Sequence, residues 1–318
     1  MPMKVSTLSV VIGTKACNAS CPFCVSRMTG FDVLPGIGGI DTVNFRKACL
    51  HAVVGGTTNV LLTGKGEPTL YPDQISRVLD LLEPHGFPYT ALQTNALDFG
   101  WMARDGQPKQ AKRLSVELLQ SWRKRGLDTI AISVVSEKPE HNVEVYHKDY
   151  PDLVRTVAFL HSLGFTVRLC VMMQKGYVDT PGRVDDILAF CKANSIAQLT
   201  VRPIRKPTAQ THDGVVSTYV AERGLDELAE RAIAGHIRHR GGKPILTLAF
   251  GAEVYDIDGQ NCCLSDCLTL DERPEEIRSL IVYANGLVTH SWQHDGAVFL
   301  RGTDEALLRE EPQQMGRP

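Results

Sequence analysis

Apolar, β-branched runs alternate with amphipathic runs along the first two-thirds of the chain, and this rhythm limits the fold more than any other feature. Residues 6–12, 58–63, 88–94, 128–135, 165–173 and 197–201 read as strands. Helical patterns lie between them at 41–54, 72–82, 115–125, 151–163 and 184–194. Asp41 and Ser115 supply start signals, and Gly55-Gly56 a stop. The segment 96–112 carries Gly100, Gly106 and Pro108 and reads as a long loop. Repeated strand–helix units predict an α/β fold with a parallel sheet, curling into a (β/α)6 partial TIM barrel. In such folds the chemistry sits at the C-terminal ends of the strands.

The rhythm stops near residue 205, so residues 1–205 read as the barrel and 206–318 as an extension. The extension holds one amphipathic helix over 217–236. Short strands follow at 244–250, 253–257, 280–283 and 287–292. Asn285-Gly286, between two of them, is a hairpin signal. The extension is expected to cover the barrel mouth.

Composition removes whole classes. With 43% hydrophobic and 22% charged residues among 318, the chain is neither disordered nor collagen-like. A formal charge of −2 offers no broad footprint for nucleic acid or an anionic membrane. No segment approaches the ~20 apolar residues of a spanning helix, and the N-terminus lacks a small-residue cleavage pattern. Nine cysteines, clustered and without a secretion signal, suggest ligation rather than disulfides. A cytoplasmic location with no membrane partner is expected.

Cys17, Cys21 and Cys24 follow directly on the first strand, on a loop at the C-terminal rim. Thiolates are soft ligands for iron–sulfur clusters or zinc. Three of them leave one iron of a cubane cluster open. Three buried loop cysteines, or a structural zinc with a distant fourth ligand, are the plainer readings, although zinc cysteines usually come in close pairs.

The Cys17–Cys24 spacing, CxxxCxxC, with the aromatic Phe23 before the last cysteine, resembles the cluster-binding motif of the radical S-adenosylmethionine (SAM) superfamily. The resemblance extends to Gly64, Lys65, Gly66, Glu67 and Pro68, at the family's GGEP position after the second strand, and covers about residues 5–205. It implies a [4Fe–4S] cluster on the three cysteines and SAM chelated to the open iron. It also implies reductive cleavage to a 5′-deoxyadenosyl radical, oxygen sensitivity, and an external electron donor such as flavodoxin or ferredoxin. By the same resemblance Glu67 is an acceptor for the SAM ammonium, Asn95 lies near the SAM ribose or substrate, and Ser133 contacts SAM. Lys65 departs from the family's usual Gly; its side chain can point outward. Gly64 and Gly66 let the backbone approach a ligand closely. The segment is not a Walker A loop, lacking the Lys-Ser/Thr that follows one.

Period-2 alternation along the fifth strand puts Arg168, Cys170 and Met172 on one face and the wholly apolar Val167, Leu169 and Val171 on the other. The apolar face should meet the helices, so Arg168 and Cys170 should line the lumen. A lumenal arginine needs an anion. Either a barrel carboxylate or the substrate supplies it. The strand resembles the molybdopterin-precursor branch of the family, where a lysine at this position binds a nucleotide substrate. Cys170 is placed to donate a hydrogen atom to a product radical, or is simply a small hydrophobe. Arg202, with Arg205 and Lys206, either adds cations to the same rim for a phosphate or carboxylate or belongs to a solvated basic loop, the plainer reading for Arg205 and Lys206.

In the extension, Cys262, Cys263 and Cys267 read either as ligands of a second, auxiliary cluster or as thiols of a covering loop. Adjacent Cys262 and Cys263 cannot easily face the same way on a strand. His290 and His294, flanking Trp292, read as packing of the last hairpin. The expected activity is hydrogen abstraction from a small anionic, nucleotide-derived substrate. The rivals are a peptide-modifying radical SAM enzyme and a non-enzymatic iron–sulfur or zinc protein.

Overall fold

The computed structural model describes residues 3–29, 39–206, 214–248, 251–265 and 276–302. Strands β1 (Lys4–Val11), β2 (Asn59–Thr63), β3 (Tyr89–Thr94), β4 (Thr129–Val134), β5 (Thr166–Met173) and β6 (Gln198–Pro203) lie side by side, all parallel. Between them run α1 (Thr42–Val54), α2 (Pro72–Leu82), α3 (Leu97–Asp105), α4 (Val116–Lys124), α5 (Pro139–Val145), α6 (Leu153–Ser162) and α7 (Pro181–Ala193). Val60, Leu62, Leu92, Ile130, Ile132, Val167, Leu169, Leu199 and Val201 alternate along the strands and are fully buried beneath these helices. Strands buried on both faces in this way need the crossover helices that the sequence rhythm predicts.

The helices depart from expectation in the barrel and in the extension. The segment read as a loop contains α3. Its start is marked by Ala96 in the left-handed region at φ 59°, and its end by Gly106. Gly100 does not break this helix. A Cβ there would lie 2.0 Å from Pro151 Cγ, so the glycine lets α3 lie flat against the start of α6. Leu97, Phe99, Trp101 and Met102 then fill the core. The single long helix expected in the extension is two, α8 (Gly214–Arg223) and α9 (Glu227–Gly241). Asp226 caps the second, its side chain accepting from the Ala229 amide at 2.9 Å, after Gly224 has ended the first.

The extension's strands are β7 (Leu246–Thr247), β8 (Glu253–Ile257), β9 (Gln260–Leu264), β10 (Glu276–Val282), β11 (Val288–Thr289) and β12 (Val298–Leu300). These strands join the barrel's own sheet at its two edges. β9 adds in parallel to β6, and β10 in parallel to β1. The result is an open sheet of 12 strands in the order β12-β11-β10-β1-β2-β3-β4-β5-β6-β9-β8-β7. Its eight central strands, β10 through β9, are all parallel. β10 and β11 turn at Asn285-Gly286, where the Tyr283 amide donates to the Leu287 carbonyl at 2.9 Å, as the hairpin signal predicts. No described helix is long and apolar enough to cross a membrane.

Candidate active site

The C-terminal ends of β1, β2 and β3 converge on the cysteine loop. Cys17 is exposed, and Cys21 and Cys24 are half-buried. A 3₁₀ turn over Val25–Arg27 begins right after Cys24. The thiols lie within electrostatic reach of one another. Surrounding protein pushes the Cys17 thiol up to about 11, and Cys21 further. Metal binding reverses such protonation, because the ligand is the thiolate. Among the described residues no three His, Cys, Asp or Glu side chains form a ready-made single-ion cage.

Two hydrogen-bond donors face the Cys17 sulfur: the Ala19 amide at 3.4 Å and Asn95 Nδ2 at 3.8 Å. Such N–H···S contacts stabilise a thiolate or a cluster sulfur. The residues present therefore suit a [4Fe–4S] cluster on Cys17, Cys21 and Cys24, with soft donors on a loop whose first sulfur is already solvated by amides.

The Gly64–Pro68 segment packs directly beneath this loop. The Glu67 amide donates to the Ala16 carbonyl at 3.0 Å, and a Cβ on Gly66 would sit 2.0 Å from that same oxygen. Gly66 is thus required by the cysteine loop itself, and only a bare backbone fits between the two segments. Lys65, whose side chain the sequence allows to point outward, turns inward and is 5% exposed. Its ammonium donates to Thr29 Oγ1 at 2.8 Å and to the Thr29 carbonyl at 3.3 Å, tying down the turn that follows Cys24.

The Glu67 carboxylate also faces inward. Oε1 accepts from the Thr69 amide, Thr69 Oγ1 and Thr94 Oγ1 at 3.1, 2.8 and 2.6 Å, and Oε2 from the Asn95 amide at 2.9 Å. Burial raises its pKa against the lowering effect of these four bonds. The side chain is a bracket between β2 and β3. Asn95 donates its side-chain amide to Cys17 and to Asn18 Oδ1, the latter at 2.7 Å. The Phe23 ring is buried and meets Tyr146 edge-on, at 6.1 Å between centroids.

Farther into the lumen, Gln93 Nε2 donates to Ser133 Oγ at 2.7 Å, and the Cys170 thiol lies 3.8 Å from Gln93 Oε1. In register, Ser133 is beside Cys170, Cys170 beside Thr200, and Thr200 beside Cys263 of the extension. Arg168 and Arg202 both pull down the Cys263 thiol, which burial raises. Among the described residues Arg168 makes no hydrogen bond or ion pair, and its buried Nε meets no acceptor. Arg205 pairs with Glu230 of α9 at 2.7 Å, and Lys206 is exposed, so neither adds a cation to the lumen wall. Cys262 faces away from Cys263, toward Cys191 of α7. The auxiliary-cluster reading therefore loses its adjacent pair, and Cys267 lies outside the described residues. Trp292 packs edge-on against Tyr283 in the last hairpin, as expected.

One residue escaped the sequence reading. Tyr146, just after α5, receives the Ser20 amide of the cysteine loop on its carbonyl at 3.0 Å. Its hydroxyl is buried without a hydrogen-bond partner among the described residues, in the neighbourhood of Cys21, Cys170 and Arg202. Its only sequence signal is a cluster of Tyr146, His147 and Tyr150 after the fourth strand, and nothing in that cluster distinguishes core from site.

With this geometry in view, residues 11–191 match the radical SAM superfamily. The chain belongs to that superfamily. As a radical SAM enzyme it uses a [4Fe–4S] cluster and SAM. No curated protein matches it in sequence. Among solved structures it is similar to Streptococcus suis SuiB bound to S-adenosylmethionine, at 16% identity and TM-score 0.57, covering 96% of this chain and 64% of that one. SuiB bound to the precursor peptide SuiA gives 16% identity and TM-score 0.50, covering 91% and 60%. HydG, a maturase of the [FeFe]-hydrogenase, gives 12% identity and TM-score 0.50, covering 74% and 50%. At these identities the likeness is one of fold, and this radical SAM chain spans less than two-thirds of each neighbour's length.

Proposed function

We propose that this radical SAM enzyme removes a hydrogen atom from a small anionic, nucleotide-derived substrate held in the barrel lumen by Arg168. The observation that carries the proposal is the lumenal guanidinium with no protein anion. Its buried Nε–H lacks an acceptor, and it makes no ion pair among the described residues. Arg168 is half-buried, and a bound anion would satisfy the buried Nε–H that no described protein group meets. Arg202 pairs in register with Met172, on the face of β5 that carries Arg168, and brings a second guanidinium to the same wall.

Bound SAM on the reduced cluster supplies the 5′-deoxyadenosyl radical. The protein's own residues do the rest. Cys17, Cys21 and Cys24 hold the cluster, while Gly64 to Glu67 lie under it with their backbone available to SAM. Ser133 and Gln93 line the path inward. Arg168 orients the substrate's anionic group. Cys170, two residues along the same face, can return a hydrogen atom to the product radical, and the electron donor that reduces the cluster would restore its thiol with one electron and a proton. That donor is a small redox protein of the flavodoxin or ferredoxin kind, and a reducing compartment such as the cytoplasm suits both thiol and cluster.

The test is anaerobic. Replacing Cys17, Cys21 and Cys24 together with Ala should abolish SAM cleavage and the cluster's paramagnetic resonance signal. Survival of either would sink the cluster assignment. Arg168→Ala should cost ~2–5 kcal/mol in kcat/KM with a nucleotide substrate while leaving uncoupled SAM cleavage nearly intact. A second reading, peptide modification, draws on the SuiB fold match, which runs through the extension. Transfer of deuterium from a labelled peptide, but not from labelled nucleotides, into 5′-deoxyadenosine would favour it.

A further inference from the structure

We infer that Asn95 is a positioning residue for the cluster: its side-chain amide donates to the Cys17 sulfur and raises the cluster's reduction potential. The inference rests on the cluster reading of Cys17, Cys21 and Cys24.

The direction of the amide is fixed by its partners. Asn95 Oδ1 accepts from the Leu97 amide at 3.0 Å, so Nδ2 must be the group that faces Asn18 Oδ1 and Cys17 Sγ. Asn18 is fixed in turn, because its Nδ2 donates to Asp98 Oδ2 at 2.9 Å, and a carboxylate only accepts. Asp98 is completely buried, and its other oxygen accepts from the amides of Lys109, Gln110 and Ala111 at 3.0, 2.9 and 3.2 Å. Asn95 Nδ2 thus gives one hydrogen to Asn18 Oδ1 and the other to Cys17 Sγ, and Asp98, by fixing Asn18, aims the second at the sulfur.

The backbone shows what holds Asn95 there. Ala96 stands in the left-handed region at φ 59°, an uncommon place for a residue with a Cβ. That strain is stabilised from both sides, by Glu67 Oε2 accepting from the Asn95 amide and by Thr94 Oγ1 accepting from the Ala96 amide at 2.9 Å. Strain held this firmly marks a constraint beyond packing. Here it turns the end of β3 so that Asn95 reaches the cysteine loop. Adding an electron makes the cluster more negative, so a donor on its sulfur favours the reduced form.

The experiment is a redox titration of the full-length, anaerobically reconstituted protein, followed by electron paramagnetic resonance. Asn95→Ala should bind iron as the parent does but show a more negative midpoint. At the parent's midpoint its reduced-to-oxidised ratio should fall about tenfold, the lower end of the scale of an outer-shell contact. Asn18→Ala keeps the Asn95 amide but loosens it, and should give a smaller shift in the same direction. This variant carries the test should Asn95→Ala fail to retain iron. An unchanged midpoint at full iron content, in Asn95→Ala or in that case in Asn18→Ala, overturns the inference. Absence of iron–sulfur absorption in the parent protein overturns the cluster reading instead.

Discussion

Lys65 shows how one departure from a family pattern becomes intelligible once its surroundings are known. A buried ammonium is costly unless its donors are satisfied, and Lys65 meets Thr29 twice and the Ser26 carbonyl at 3.5 Å. It fastens the turn carrying Cys24 to the end of β2, where a glycine would leave that turn to its own short 3₁₀ bonds. Lys65→Met keeps the length and loses the donors. It should lower iron retained per chain after gel filtration by about tenfold or more in cluster affinity, with helix content unchanged by circular dichroism. Equal iron retention would show that Lys65 packs without fastening. The place of the cysteine loop at the C-terminal end of β1 was legible in the sequence because the motif follows directly on the first strand. Tyr146 and the inward turn of Lys65, Glu67 and Asn95 were not, since each depends on what a distant segment places opposite it.

Strands were more legible than the helices joining them. A buried parallel strand is a short apolar run and announces itself, and all six barrel strands lie within two or three residues of expectation. α3 was hidden because Gly100 and Gly106 look like loop punctuation, whereas one is a close contact and the other a helix stop. β9 was hidden because Cys262 and Cys263 drew the eye to ligation; in the sheet they occupy opposite faces like any adjacent pair. The two readings of Gly100 make opposite predictions. As an ordinary helical glycine it should gain about 1 kcal/mol on replacement by Ala. As a contact 2.0 Å from Pro151 and 2.8 Å from Thr156 Oγ1, it should lose more than it gains. Overpacking of this kind costs roughly 1–3 kcal/mol. Gly100→Ala should therefore lower the urea midpoint without changing the slope, and a raised midpoint would contradict the packing account.

At the scale of the whole molecule, the extension is part of the barrel sheet, and its β9 edge is bound in part by different forces from the centre. β3 to β5 are buried beneath the helices by aliphatic side chains on one face, Leu92, Ile130, Ile132, Val167 and Leu169 among them. The β9–β8 edge shares the core through Tyr255, Ile257 and Cys262, and adds ion pairs that tie it to α7 and α9. Asp185 of α7 accepts from His236 and Arg240 of α9, Arg240 also reaches Asp258, and Arg238 meets Glu253 of β8 at 2.8 Å. Burial alone would raise the Asp185 and Glu253 carboxyls. The hydrogen bonds from His236 and Arg240, and from Arg238 and Tyr255, outweigh it and hold both below their ordinary values. A carboxyl depressed in the folded state stabilises fully above its unfolded pKa, and that stabilisation disappears as pH falls through the lower, folded value. With unfolded values near 4, the edge should be intact above about pH 5 and loosen progressively below it. The groups are partly exposed, so each contribution is small, and opening should be local. Hydrogen exchange should thus show amides of β8 and β9 losing protection at a higher pH than those of β3 to β5, and high salt at neutral pH should weaken the same edge in part. Simultaneous loss across all strands would mean that the edge opens only with the barrel, and that apolar contacts such as Cys262 and Ile257, not ions, hold it closed.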